Sequence, residues 1–127
     1  MMDEDSVNHI LYIDDDKGML RTVSKWFNSM VDNYELETTD KINELYDELA
    51  NQDYNLLITD LQIPNGKEGM EIAYRAQEEH DIPVIMYTSD QDAKKQFLEQ
   101  SPDKTRGFLH KSTSSMKELE EEVKKFL

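Results

Sequence analysis

The sequence contains no cysteine. Disulfides, thiolate zinc sites and cysteine nucleophiles are therefore excluded. A small fold without disulfides suits a reducing compartment, so a cytoplasmic location is expected. Long uncharged apolar runs are also missing, and the acidic opening MMDEDS has no basic stretch. Neither a transmembrane helix nor a secretory signal is expected. Basic residues are few: 14 Lys and Arg against 28 Asp and Glu leave a net charge of −14. That excess disfavours nucleic acid as a direct partner, because phosphate binding needs a basic surface. It disfavours an anionic membrane surface equally. No internal repeat, low-complexity tract or composition shift marks a linker. The 127 residues match one domain with one sizeable core, so residues 1–127 are read as a single domain. Only 37% of residues are hydrophobic, yet they recur periodically, as in a folded domain with a charged exterior.

Two periods alternate along the chain. Val7–Ile13 is a short apolar run, and Met19, Leu20, Val23, Trp26, Phe27, Met30 and Val31 then recur at helical spacing. Tyr34, Leu36 and Thr38 alternate with Glu35 and Glu37, the pattern of a half-exposed strand. Asp40 is placed to cap a helix carrying Ile42, Leu45, Tyr46, Leu49 and Ala50 on one face. Tyr54–Thr59 reads as a buried strand, followed by a loop with Pro64, Gly66 and Gly69. Met70, Ile72, Ala73 and Ala76 mark a third helix, and Pro83 opens a strand over Val84–Tyr87. Ala93, Phe97 and Leu98 suggest a short fourth helix ended before Pro102, and Gly107–His110 a brief fifth strand. Ser115 and Glu118 form a capping-box pattern ahead of a last helix with Met116, Leu119, Val123 and Phe126 inward. Strand and helix thus alternate five times, which predicts a parallel sheet covered on both faces. In such folds ligands sit beyond the carboxyl ends of the strands.

The residues at those ends carry the chemistry. The first strand ends in Asp14, Asp15 and Asp16, the third in Asp60, the fourth in Thr88 and Ser89, the fifth in Lys111. In a parallel sheet they meet on one edge. Crowded carboxylates repel one another, and a divalent cation relieves that cost. Hard oxygen donors with no nearby histidine point to Mg²⁺ rather than zinc. A lysine and a hydroxyl beside the metal suit an anion, above all a phosphoryl group. Each feature alone has a plainer reading: a solvated acidic turn, a capping aspartate, a surface lysine. Their agreement at four strand ends carries the functional one. Trp26, Phe27, Met30, Tyr12 and Tyr87 read as packing, and the scattered His9, His80 and His110 make no metal cluster.

The segments HILYIDDD, NLLITDLQIP, IPVIMYTSD and GFLHKS resemble the receiver domains of two-component response regulators, in the right order and over nearly the whole chain. The resemblance implies an α/β (βα)5 flavodoxin-like fold with strand order 2-1-3-4-5, an architecture for which a receiver is a standard illustration. It also implies roles. Asp60 would be the phosphoacceptor, and Asp14 and Asp15 would hold Mg²⁺ together with Asp60 and the backbone carbonyl of Gln62. The Thr88 hydroxyl would bind a phosphoryl oxygen, Lys111 would ion-pair with the phosphoryl group, and Phe108 would be a switch aromatic moving with Thr88. The donor would be a sensor histidine kinase or a histidine phosphotransfer protein. Output would pass through the face formed by the fourth helix, fifth strand and fifth helix to a downstream target or effector domain. The chain would catalyse only its own phosphorylation and dephosphorylation, without being an enzyme in the turnover sense.

Some positions depart from the family pattern. Gly69 lies nine residues after Asp60, where eight is usual, and Glu68 stands where aspartate is common. Ser89 replaces a small alanine, and Ser112 replaces a proline whose bond is commonly cis in receivers. The same residues admit rival readings. Asp14-x-Asp16 resembles the nucleophile motif of haloacid-dehalogenase-type phosphatases, but Gly18 stands where that motif has threonine or valine. A flavodoxin needs a first loop that cradles phosphate, which Asp14–Asp16 would repel. A pseudo-receiver that binds partners without phosphorylation is the third alternative.

Overall fold

The computed structural model describes residues 7–29, 34–63, 68–100 and 105–127. Met30, Val31, Pro64, Gly66 and Pro102, used above to outline a helix, a loop and a helix end, lie outside the described residues. Five strands and five helices alternate: β1 (Asn8–Ile13), α1 (Lys17–Asn28), β2 (Tyr34–Thr39), α2 (Ile42–Asn51), β3 (Leu56–Thr59), α3 (Glu68–His80), β4 (Val84–Thr88), α4 (Lys94–Glu99), β5 (Arg106–His110) and α5 (Met116–Lys124). A 3₁₀ turn over Gln91–Ala93 precedes α4. All four strand pairings are parallel, and the order is β2-β1-β3-β4-β5. This is the expected doubly wound sheet. None of the helices among the described residues is long and apolar enough to cross a membrane.

Strand periodicity divides the core in two. Leu11, Ile13, Leu57, Val84 and Met86 face Leu45, Leu49, Ile72, Ala73, Ala76 and Phe97 of α2, α3 and α4. Ile10, Tyr12, Leu56, Ile58, Ile85 and Tyr87 face Leu20, Val23 and Phe27 of α1 and Leu119 and Val123 of α5. Alternate side chains of one strand point to opposite faces, so a strand covered on both sides is apolar throughout. β3 and β4 are buried at every position, whereas the edge strand β2 leaves Glu35 and Glu37 outward.

The local signals held unevenly. Ser115 and Glu118 make the reciprocal capping box at α5. Asp40 does not cap α2. The N-cap is Lys41, which makes no side-chain cap bond, and Asp40 instead pairs with Lys17 and Lys41. Thr39 organises that turn: its hydroxyl accepts the Lys41 N–H and donates to Glu44. Strand β3 begins at Leu56 rather than Tyr54, whose buried ring reaches back to donate its hydroxyl to Glu48. The predicted fourth helix is split, with Ala93 in the 3₁₀ turn and six residues in α4, of which only Phe97 is buried.

Arg106, at the start of β5, is buried. Its Nε donates to Gln77 on α3, and its Nη1 donates to the Phe97 carbonyl and to Gln100 at the end of α4. The guanidinium also lies over the Phe97 ring, 4.6 Å from its centroid. One side chain thus ties β5 to both neighbouring helices.

Candidate functional site

The carboxyl ends of β1, β3, β4 and β5 meet on one edge of the sheet, as the sequence pattern predicts. Backbone pairing carries past the strands and fixes that edge: Asp60 N–H donates to the Ile13 carbonyl at 3.1 Å, and Lys111 N–H to the Thr88 carbonyl at 2.8 Å. Asp14 is fully buried, Asp60 is 8% exposed and Thr88 2% exposed. One oxygen from each of Asp14, Asp15 and Asp60 lies within 4.8 Å of the others. Three hard carboxylates without histidine or cysteine are the donor chemistry of Mg²⁺ or Ca²⁺, not of zinc. The residues present therefore fit a hard divalent cation.

Asp16 does not join them. Its carboxylate accepts the N–H groups of Gly18 and Met19 and caps α1. The DDD run divides by role: Asp14 inside, Asp15 exposed at the cluster, Asp16 on the helix.

Lys111 closes the cluster. Its Nζ donates to Asp14 Oδ2 at 2.6 Å and to Asp60 Oδ2 at 2.9 Å. The other oxygens are also engaged: Asp14 Oδ1 accepts Asp16 N–H at 2.9 Å, and Asp60 Oδ1 accepts Leu61 N–H at 2.7 Å. Burial pushes the Asp14 carboxyl above the usual range, outweighing the donors around it. Burial alone would pull Lys111 down, but its bonds to Asp14 and Asp60 more than offset this and hold its ammonium above the ordinary value. Both shifts run the same way: Asp14 and Lys111 each keep a proton to higher pH than the isolated group does.

The remaining predicted residues sit close by. Thr88 Oγ1 accepts the Asp90 N–H at 3.2 Å. Phe108 is half-buried, packs on the α2–α4 side of the sheet and lies opposite Met86. Gln62 is exposed in the loop after β3. Gly69 packs on the Asp60–Leu61 backbone: its N–H donates to the Leu61 carbonyl, and a Cβ here would lie 2.1 Å from the Asp60 carbonyl oxygen. Only glycine fits, despite the displaced spacing. Ser89 and Ser112, the two unusual residues, touch: their hydroxyls are 2.9 Å apart, joining the loops after β4 and β5. The Lys111–Ser112 bond is trans.

One contact escaped the sequence reading. Tyr12, read as packing, donates its hydroxyl to Asp14 Oδ2 at 2.6 Å. The signal was the period of two, which puts residues 12 and 14 on one face of β1. Burial, and then the neighbouring Asp14 charge, push the Tyr12 hydroxyl far above its usual range.

A sequence model described as the response regulator receiver domain matches residues 10–124. The chain belongs to this family. It is a receiver domain of a two-component response regulator. No curated protein matches it. Solved receivers share its fold at low identity. A CheY-like receiver domain protein from Methanospirillum hungatei is 22% identical with a TM-score of 0.77, covering 94% of this chain and 93% of that one. The response regulator TrrA of Thermotoga maritima, solved in complex with Mg²⁺ and beryllium fluoride, is 23% identical with a TM-score of 0.76, covering 95% and 100%. The chemotaxis response regulator CheY4 of Vibrio cholerae is 20% identical with a TM-score of 0.79, covering 96% and 100%.

Proposed function

We propose that this receiver takes a phosphoryl group onto Asp60 from the phosphohistidine of a sensor histidine kinase or a histidine phosphotransfer protein. The observation that carries the reading is the pair of hydrogen bonds from Lys111 Nζ to Asp14 and Asp60 beside the three-carboxylate cluster. Asp14, Asp15, Asp60 and the main-chain carbonyl of Gln62 would hold Mg²⁺. When bound, the ion supplies Lewis-acid charge for the oxygens being transferred. An Asp60 oxygen attacks phosphorus as the bond from phosphorus to the donor imidazole nitrogen breaks, and that electron pair stays on the imidazole. Lys111 then follows the added negative charge, and Thr88 turns its hydroxyl proton toward a phosphoryl oxygen. Water attacking phosphorus later restores the carboxylate and releases inorganic phosphate. The chain turns over no other substrate in this scheme.

Phe108 would move with Thr88 and alter the α4–β5–α5 face that a downstream target or effector domain reads. Residues 1–127 act as one receiver domain in this proposal, and the site works in the cytoplasm, where histidine kinases present their phosphoryl groups. Incubation with acetyl phosphate followed by mass spectrometry tests it. We expect one added phosphoryl group on Asp60 only with Mg²⁺ present, and none in Asp60→Asn. Label on Asp14 would favour the phosphatase chemistry, and no label at all a pseudo-receiver.

A further inference from the structure

We propose that Tyr12 is a positioning residue for Asp14, holding that carboxylate in the orientation the metal site uses. The inference rests on the reading of Asp14, Asp15 and Asp60 as a cation site. Tyr12 is fully buried in the core between the sheet and α1 and α5. A phenol in such a place is costly unless its hydroxyl is bonded. Leucine or phenylalanine would fill the space without that cost. Among the described residues the Tyr12 hydroxyl bonds to no main-chain group; it donates to Asp14 Oδ2 at 2.6 Å.

Asp14 is held at three points: Asp16 N–H on Oδ1, and Tyr12 and Lys111 together on Oδ2. These donors are not equivalent. Asp16 N–H fixes one oxygen from the exposed side. Lys111 is shared with Asp60, and charge added at Asp60 draws it away. Tyr12 belongs to the rigid strand on which Asp14 follows, so it remains when Lys111 leaves. A carboxylate fixed from behind costs less to order when a cation arrives, and loss of such supporting partners typically weakens metal binding about 10–100-fold.

The protein supplies its own control. Tyr87 is as buried as Tyr12, lies in the same core, and has its ring 6.3 Å away. Its hydroxyl has no hydrogen-bond partner among the described residues. Deleting either hydroxyl removes the same atom from the same core; only one deletion frees Asp14.

Isothermal titration with Mg²⁺ alone, on the full chain at neutral pH, separates the two. We expect Tyr12→Phe to raise the Mg²⁺ Kd about tenfold or more, and Tyr87→Phe to leave it within about twofold of wild type. In an Asp14→Asn background, Tyr12→Phe should add nothing, since no carboxylate remains to orient. If Tyr12→Phe is too unstable to titrate directly, the Mg²⁺-dependent rise in melting temperature gives the same Kd comparison. A Kd unchanged in Tyr12→Phe overturns the inference, as does an equal loss in Tyr87→Phe or an undiminished loss in the Asp14→Asn background. Wild-type protein that binds no Mg²⁺ would instead overturn the cation site itself, and this inference with it.

Discussion

Replacing Lys111 by methionine tests the electrostatics of the site without any phosphodonor. The Lys111 side chain is 13% exposed, that of Asp14 0% and that of Asp60 11%. Methionine keeps the apolar stem but removes the only ammonium bonded to both carboxylates among the described residues. Removing one partner of a buried pair costs about 3–5 kcal/mol, because the other charge stays buried and uncompensated. Against a total stability of about 5–15 kcal/mol, that is a large fraction. For a chain of this size it corresponds to a fall in melting temperature of about 10–20 °C. The pH dependence follows in sign. Asp14 has a carboxyl pKa raised by folding, so its burial costs nothing below the unfolded value. The cost grows as pH rises toward the folded value and is constant above it. Without Lys111 the rise is larger and the window extends upward. Lys111→Met should therefore regain stability between pH 7.5 and 5.5, where wild type changes less, and Mg²⁺ should restore part of the loss at pH 7.5. Thermal unfolding by circular dichroism across that range reads all three effects. A metal-free Lys111→Met protein as stable as wild type at pH 7.5 would refute the reasoning.

Three further outcomes are expected. Asp15 is exposed at the cluster, so Asp15→Ala should change metal-free stability by less than about 0.5 kcal/mol, on the stabilising side; it should abolish the Mg²⁺-dependent rise in melting temperature, and a retained rise would count against Asp15 as a ligand. Gly69→Ala would drive a methyl group to 2.1 Å from the Asp60 carbonyl and 2.7 Å from Leu61 Cα, costing about 1–3 kcal/mol and slowing phosphorylation of Asp60. Unfolding curves and acetyl phosphate kinetics check both effects. Finally, α4 has six residues and buries only Phe97, so Lys94–Glu99 should exchange amide hydrogens fastest among the five helices. Beryllium fluoride with Mg²⁺ should slow that exchange, and equal exchange with and without it would remove α4 from the switch.

The strand ends were legible because apolar runs announce buried strands and a parallel sheet sends their last residues to one edge. Asp14, Asp60, Thr88 and Lys111 were placed by that rule alone. Within the DDD run the rule failed to discriminate, since the helix beginning at the very next residue decides which carboxylate turns to cap it. Asp40 misled for a related reason: aspartate is a good cap, but Thr39, one residue earlier, already bonds the Lys41 N–H. Tyr12 was hidden by its chemistry. An aromatic residue in an apolar strand reads as core, and only the folded structure shows whether its hydroxyl has a partner. Arg106 was hidden similarly, because its partners Gln77, Phe97 and Gln100 converge on it only through the packing of α3 and α4 against β5.

The hold of Arg106 on the end of α4 makes that helix a lever with one fixed end. Its carboxyl end is moored to β5 through the Phe97 carbonyl and Gln100. Its other end begins at the 3₁₀ turn, capped by Asp90, whose own N–H rests on the Thr88 hydroxyl. The two moorings differ in kind: two bonds from a buried guanidinium at the far end, one bond to a rotatable hydroxyl at the near end. Any reorientation of Thr88 loosens the near mooring while the far one stays fast. A helix held this way would swing about its carboxyl end, with displacement greatest at its first turn, so a partner reading the state of the site would find the largest signal around Lys94 and Lys95 rather than at Glu99.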